Sequence, residues 1–340
     1  MITRAGRTAC LVAALAFPAA ACQGSVAAPE VPVSASPSVV NQPAQQPPAQ
    51  QQPTLRQPDQ QQPSPSCDRR ASLRPLDPLP EPGLMPPGST MARIVERGRL
   101  IAGVDQNTYL FGFRNPLGGQ LEGFDTDIVH DLAEAILGDR DKVEYKVVFV
   151  SDRVRVVEEG TVDLVVSTMT ITCERRERVE FSIVYFDAGQ RVLVNDGSTV
   201  TGISDLGGKR VCAARGSTSL QNVFRDPSRP VPVGMPNASD CLVLLQLGKV
   251  DAISTDDALL AGFADQDPRT KIVGERFSSE PYGIAISRNS PDLVRFVNAV
   301  LEQRMRDGRW QASFERWLTR LAGLGESAGI PQPPQPRYRD

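Results

Sequence analysis

Histidine is all but missing: His130 is the only one in 340 residues. A Ser-His-Asp triad or a multi-histidine metal centre is therefore close to excluded. Excess positive charge is missing too, with 37 Lys and Arg against 40 Asp and Glu and a formal charge of −3. Such a chain has no general attraction for phosphate backbones or anionic lipid, so no nucleic acid partner is expected. Only five of the basic residues are lysine, which reads as the codon bias of a GC-rich genome. Aromatic residues make up 6%. The length suits one large domain or two ordinary ones.

The run Ala9 to Ala21 follows Arg4 and Arg7 and is too short for a mature membrane span, but it has the length of a signal-peptide core. Residues 1–21 are read as that signal. Ala19-Ala20-Ala21 directly before Cys22 is the arrangement cut so that the cysteine carries lipid; ordinary Ala-x-Ala cleavage is the rival reading. With Cys10 removed and Cys22 acylated, four cysteines remain: Cys67, Cys173, Cys212 and Cys241. In an oxidising compartment they allow two disulfides in three connectivities, with Cys212–Cys241 and Cys67–Cys173 preferred. The first would close a loop of roughly 30 residues and contribute about 3–4 kcal/mol in the chain-entropy model. Without CxxC spacing, neither a metal site nor a redox centre is expected.

Sixteen of the 29 prolines fall between Pro29 and Pro87, and Gln42 to Gln62 is mostly Gln and Pro. That stretch cannot bury enough surface to offset its ordering entropy, so 22–89 reads as a disordered tether. Some 40 residues at about 3.1 Å each would hold a domain up to roughly 100 Å from a membrane. The Pro/Gln tail within 324–340 stays unassigned. From Thr90 the texture changes. Strands are expected over 100–104, 143–150 and 164–167, with helices over 125–137 and 152–159; short apolar runs alternating with helices imply βαβ units. A second series follows: strands near 210–213, 231–233 and 252–254, and helices over 219–224, 238–247 and 257–263. Gly160-Thr-Val-Asp163 and Gly248-Lys-Val-Asp251 echo one another, each a glycine ending a helix and an acid opening a buried strand. The α/β pattern occurs twice, which suggests two lobes, 90–190 and 191–282. A strand over 282–287 and helices over 291–307 and 310–321 return to the first lobe within 283–323.

In Gly123-Phe-Asp-Thr-Asp-Ile128, then Leu132 and Ile136, the apolar residues share one helical face. Asp127, His130, Asp131 and Glu134 would face outward, with Asp125 or Thr126 as N-cap; His130 reads as a solvated helix residue. Spacing alone shows only an amphipathic helix. The string nevertheless resembles, at every position, the signature of the family 3 extracellular solute-binding proteins, which bind amino acids outside the membrane. The resemblance covers about 91–321. It implies a type II periplasmic-binding-protein-like fold of two lobes closing about a hinge near 188–193 and 279–283.

A second string, Asp163 to Arg175 with Val179-Glu-Phe-Ser182 and Tyr185-Phe186, runs from a buried strand into hydroxyls and a charged turn capped by Thr172. Hydroxyls, helix-start N–H groups and an arginine suit a carboxylate. The bland reading pairs Arg175 with Glu174 or Glu177 on the surface. The string is similar to the family's Thr-x-Thr-x-Glu-Arg hallmark, which implies that Arg175, Thr170 and backbone around Ser167 and Thr168 clamp the ligand α-carboxylate. In the second lobe, Gly216-Ser-Thr-Ser219 opens a helix and Asp256 follows a buried strand. The resemblance implies that Asp256 takes the α-ammonium and that Ser217 and Thr218 meet carboxylates; Asp257 is an alternative to Asp256.

The side-chain pocket stays open. Ser151-Asp-Arg153 resembles the Ser-x-x-Arg of acidic-amino-acid binders with one residue fewer, and Arg215 would add a second positive charge. Asp105 resembles the acid by which glutamine binders accept from the amide. One of Tyr109, Phe111 and Phe113 would stack on the ligand, the others joining the core. Cys173 departs from the family pattern, since proline or acid is usual there, and so does the tether's length; tether and domain together look like the glutamine- or glutamate-binding lipoproteins of actinobacteria. The implied partners are a free amino acid, an ABC permease or a membrane sensor protein, and the membrane through the N-terminal lipid on its extracytoplasmic face. A monomer without metal or cofactor is expected. A dehydratase-like enzyme on the same fold, with Asp105, Asp256 or Glu174 as acid or base, is the outlying alternative.

Overall fold

The computed structural model describes residues 66–319 and 332–340. The signal, Cys22, most of the Pro/Gln tether and residues 320–331 lie outside the described residues. The chain enters with strand β1 (Ala71–Ser72) and helix α1 (Thr90–Arg97), then β2 (Leu100–Val104). A hairpin-like sheet of β3 (Asn107–Thr108), β4 (Gly112–Arg114) and β5 (Leu121–Glu122) leads to α2 (Phe124–Leu137). β6 (Val143–Val147), α3 (Arg153–Glu158), β7 (Leu164–Val165), α4 (Cys173–Arg176) and β8 (Glu180–Phe181) complete the outward pass through lobe 1.

β9 (Phe186–Ala188) then crosses to lobe 2, which holds β10 (Gln190–Asn195), β11 (Arg210–Ala214), α5 (Thr218–Arg225), β12 (Val231–Met235), α6 (Ala238–Gln246), β13 (Ala252–Asp256), α7 (Asp257–Gln266) and β14 (Thr270–Val273). β15 (Glu280–Tyr282) crosses back to β16 (Ala285–Ile286), α8 (Pro291–Arg306), α9 (Arg309–Leu318) and β17 (Arg337–Tyr338).

Each lobe carries a five-stranded sheet, in the order β6-β2-β7-β16-β8 in one and β12-β11-β13-β10-β14 in the other. In both, the first three strands are parallel and the strands nearest the crossing run antiparallel. The paired Gly-x-Val-Asp turns do the same work twice. Gly160 and Gly248 adopt left-handed φ of 66° and 63°. Asp163 accepts from the Ile101 N–H and returns its own N–H to the Ile101 carbonyl; Asp251 does likewise with Arg210. Each acid thus ties the strand it opens to its parallel neighbour.

The two crossings pair as an antiparallel ribbon, Asp187 opposite Pro281. The outgoing crossing is therefore 186–188; β10 begins at Gln190, one residue before the expected lobe boundary, so 190–193 belong to the lobe 2 sheet and not to the hinge expected near 188–193. Residues 66–89 are not tether but part of lobe 1. Leu73, Leu76 and Leu79 pack on the core and Met85 is buried in it, because apolar residues recur between these prolines as they do not in Gln42 to Gln62. Leu76 donates its N–H to Arg295 and Gly83 to Ile136. The C-terminal residues also have a place: β17 pairs in parallel with β1, Ala71 opposite Arg337.

Both expected disulfides are present, Cys67–Cys173 and Cys212–Cys241. The residues after Cys67 lie across the ribbon. Arg69 donates to the Ser279 carbonyl at 3.3 Å, Arg70 pairs with Asp187 at 2.5 Å, and Arg176 of α4 donates to the Ala71 carbonyl at 2.5 Å. This strap touches both crossings and the short helix that carries Arg175.

Helix α2 corrects two readings. Its N-cap is Gly123, so Asp125 and Thr126 lie inside the first turn, both buried. Asp131 turns inward to pair with Arg304, and Asp127 accepts from Ser313 and Trp317, because α8 and α9 cover a face that the sequence alone leaves to solvent. His130 is half-buried, its ring nitrogens meeting the Arg140 carbonyl at 2.7 Å and the Tyr145 hydroxyl at 3.2 Å.

Candidate functional site

The site lies where the carboxyl ends of β2, β7, β11 and β13 face one another across the ribbon, the usual ligand position in open α/β sheets. The lobes touch there. Arg175 donates through Nη1 to the Thr170 carbonyl at 2.6 Å and through Nη2 to the Gly216 carbonyl of lobe 2 at 3.0 Å. Thr170 Oγ1 is 3.4 Å from Thr218 Oγ1 of lobe 2. Gly216 has φ 75°, and a Cβ there would sit 2.7 Å from the Ser151 Cα. The lobes are closed on each other.

Local structure fixes each group. Thr172 caps α4 by accepting the Arg175 N–H at 3.1 Å, which sets the arginine at the helix start. Arg153 opens α3 and is buried; Nη1 donates to the Ser167 carbonyl at 2.6 Å and Nε to the Val150 carbonyl at 3.2 Å. No described residue accepts from its Nη2. Asp105 directly follows β2 and accepts the Asn107 N–H at 2.7 Å and the Thr108 hydroxyl at 2.8 Å. Asp256 ends β13, buried, and accepts the Tyr282 hydroxyl at 2.5 Å.

Burial dominates the electrostatics. It raises Asp256 to about 8, with the Glu280 charge adding to the rise and the Tyr282 hydrogen bond opposing it. Burial likewise raises Asp105 and depresses Arg153, whose charge the neighbouring Asp105 and Asp256 support. Arg175 falls to about 9 through burial and the nearby Arg153 charge, partly offset by Glu280. Charges held away from water at this cost are stabilised by a ligand that brings the opposite charge and its own hydrogen bonds.

Of the residues expected from sequence, Asp105, Arg153, Ser167, Thr168, Thr170, Arg175 and Asp256 gather here. Asp257 does not: it accepts the Gly189 N–H and pairs with Arg276, bracing the crossing. Arg215 is exposed and donates Nε to the Gly234 carbonyl, so it brings no second charge to the pocket. Phe111 belongs to the core, fully buried with Phe186 and Tyr282 at 5.3 and 6.1 Å. Tyr109 stays partly exposed, lies against Gly262 of lobe 2 and meets Phe113 edge-on at 5.0 Å. Ser217 spends its hydroxyl as N-cap of α5, accepting from Leu220 and donating to Ala214, while Thr218 donates to Glu280. The two hydroxyls expected to meet carboxylates are thus turned to helix and ribbon.

Sequence reasoning missed Asp125, Tyr185, Tyr282 and Glu280. Asp125 accepts the Tyr185 hydroxyl at 2.9 Å and the Thr168 N–H at 2.8 Å, and burial raises it to about 7. It holds Thr168 at a φ of 40°, unusual for a residue with a branched side chain. The acid stood in the Gly-Phe-Asp-Thr-Asp string; assigning it to a cap hid its role.

A two-lobed fold with a buried, charge-rich interlobe site defines a class of ligand-closing receptors. Residues 100–320 match the family described as bacterial extracellular solute-binding proteins, family 3, and the chain belongs to that family. It is 39% identical over 230 residues to the ABC transporter glutamine-binding protein GlnH of Bacillus subtilis (strain 168), covering 67% of this chain and 84% of that protein. It is 31% identical over 258 residues to the glutamate-binding protein GluB of Corynebacterium efficiens, covering 72% and 85%. Among solved structures, an ancestral arginine-binding protein bound to glutamine is 36% identical with TM-score 0.62, covering 65% of this chain and 98% of that one.

Proposed function

We propose that this chain is a receptor for one acidic amino acid, glutamate or aspartate, with the corresponding amides as weaker ligands. The observation that carries the acidic preference is Arg153, a buried guanidinium beside Asp105 and Asp256 with Nη2 open to an acceptor. Arg175, with backbone at Ser167, takes the α-carboxylate, and Asp256 takes the α-ammonium; the Thr168 N–H, expected to join the clamp, is instead given to Asp125. Tyr109 lies along the aliphatic part. A ligand carbonyl or carboxylate oxygen satisfies Arg153, and Asp105 accepts from an amide when one is present. Relatives named for glutamine and for glutamate agree with a pocket that tolerates both side chains.

Micromolar affinity needs about 8 kcal/mol net, within reach of two charge-paired ends and one side-chain contact. The closed receptor, tethered through an acylated Cys22, delivers its ligand to an ABC permease. Calorimetry of the purified chain against glutamate, aspartate, glutamine and asparagine tests the pocket: tightest binding of an acid is expected, and exclusive binding of glutamine overturns the role of Arg153. Amino acid uptake in a deletion strain tests the output. Unchanged uptake with altered intracellular phosphorylation would assign it to a membrane sensor instead, and labelled fatty acid absent from the wild-type chain would remove the anchor.

A further inference from the structure

Glu280 is the first residue of the returning crossing and is 2% exposed, yet no role in binding accounts for its charge. Its carboxylate accepts the Thr218 hydroxyl at 2.8 Å, the Ser278 hydroxyl at 2.5 Å and, more weakly, the Asn222 amide at 3.4 Å. Thr218 has one hydroxyl hydrogen. Given to Glu280, it leaves Thr218 only lone pairs to offer Thr170 across the lobe interface, 3.4 Å away. The relay therefore has a direction. Thr170 of lobe 1 donates to Thr218 of lobe 2, which donates to Glu280 on the ribbon.

Two further contacts end at the same place. Arg175 bridges the Thr170 and Gly216 carbonyls, the second lying two residues before Thr218. The Glu280 charge supports Arg175. Opening the lobes would separate Thr170 from Thr218 and Arg175 from Gly216 together, while the Thr218–Glu280 bond joins an element of lobe 2 to the ribbon.

We propose that Glu280 is a positioning residue for closure: by fixing the Thr218 hydroxyl toward itself, it completes an interlobe latch with Thr170 and sets how long the closed complex lasts. The proposal rests on the amino-acid receptor reading above. It assigns Glu280 no contact with the ligand side chain, so its removal changes lifetime and not preference.

The test is stopped-flow binding of glutamate and asparagine to the full chain. Glu280→Gln should raise the dissociation rate about tenfold or more, the scale of a buried hydrogen bond to a charged group. The association rate should stay within about threefold and the glutamate-to-asparagine affinity ratio within about twofold. Thr218→Val should speed dissociation similarly, and the double variant should dissociate no faster than Thr218→Val alone, since both remove one relay. Should Glu280→Gln fail to fold, Thr218→Val with a wild-type dissociation rate overturns the latch. So does a Glu280→Gln rate equal to wild type, or multiplying effects in the double variant. If the wild-type chain binds no amino acid, the receptor reading falls and takes the latch with it; if it binds and the variants match it, only the latch falls.

Discussion

The Tyr282 hydroxyl reaches Asp256 Oδ2 at 2.5 Å, joining the acid at the end of β13 to the crossing by which the chain returns to lobe 1. One hydrogen bond thus connects the acid proposed to accept the ammonium to the ribbon that joins the two lobes. It also opposes a proton that burial and Glu280 otherwise favour.

That balance makes binding pH-dependent. Asp256 must ionise to meet an ammonium, and its value without ligand is about 8. A bound cation lowers it, so binding near pH 7 releases protons and affinity falls as pH drops below 8, by up to about tenfold per unit. Calorimetry in buffers of different ionisation enthalpy should record proton release at pH 7. Stability of the unliganded chain runs the opposite way. Asp125 and Asp256 have folded values raised above the unfolded carboxylate range, so the stability they contribute is full below about pH 4 and is lost as pH rises through about 7 to 8. Thermal melts should show a larger ligand-induced gain in Tm at pH 8 than at pH 5.

The arginines separate by position. Arg175→Ala is expected to weaken every amino acid by more than about a hundredfold, because the proposed charge-assisted contact with the α-carboxylate and the interlobe bond to Gly216 are lost together. Arg215→Ala should leave all affinities within about twofold, its guanidinium being committed to the Gly234 carbonyl. Arg153→Ala should cost acids more than amides, and also lower Tm, since the Ser167 and Val150 carbonyls lose their donor. Side-by-side titrations and melts check all three.

Gly216→Ala puts a methyl at a left-handed φ and against Ser151 of the other lobe. At Gly248, where φ is 63° and nothing lies within 4 Å, the same change meets only the backbone penalty of about 1 kcal/mol. Ligand affinity should therefore drop by about tenfold or more for Gly216→Ala and hardly at all for Gly248→Ala, with similar losses in unliganded Tm. Equal affinities would mean that Gly216 and Ser151 do not meet in the bound state.

Cys67→Ser with Cys173→Ser opens a loop with a sequence separation of 106. The chain-entropy model puts the loss at up to about 4–5 kcal/mol. Denaturant melts should find less than that, because β17, Arg176 and Arg70 continue to hold the segment.

The repeated βα order and the paired Gly-x-Val-Asp turns were legible in the chain because periodicity and turn chemistry are local. The placement of Arg175 and Asp256 between the lobes was legible as well, each standing where a buried strand meets a polar turn. What local pattern could not supply was direction in space. Arg215 and Ser217 sit in the right string but turn to the neighbouring strand β12 and to their own helix, and Asp131 looks solvent-facing until α8 and α9 cover it. Glu280 carries no motif at all; its importance comes from three partners as far as 62 residues away. Proline density likewise misled at 66–89, where leucines between the prolines find the core.

Because Cys67 is bonded two positions before Arg175, and Arg69 and Arg70 hold the ribbon, residues 67–70 clasp helix α4 and both crossings at once, so a shift of this short segment cannot leave either one untouched.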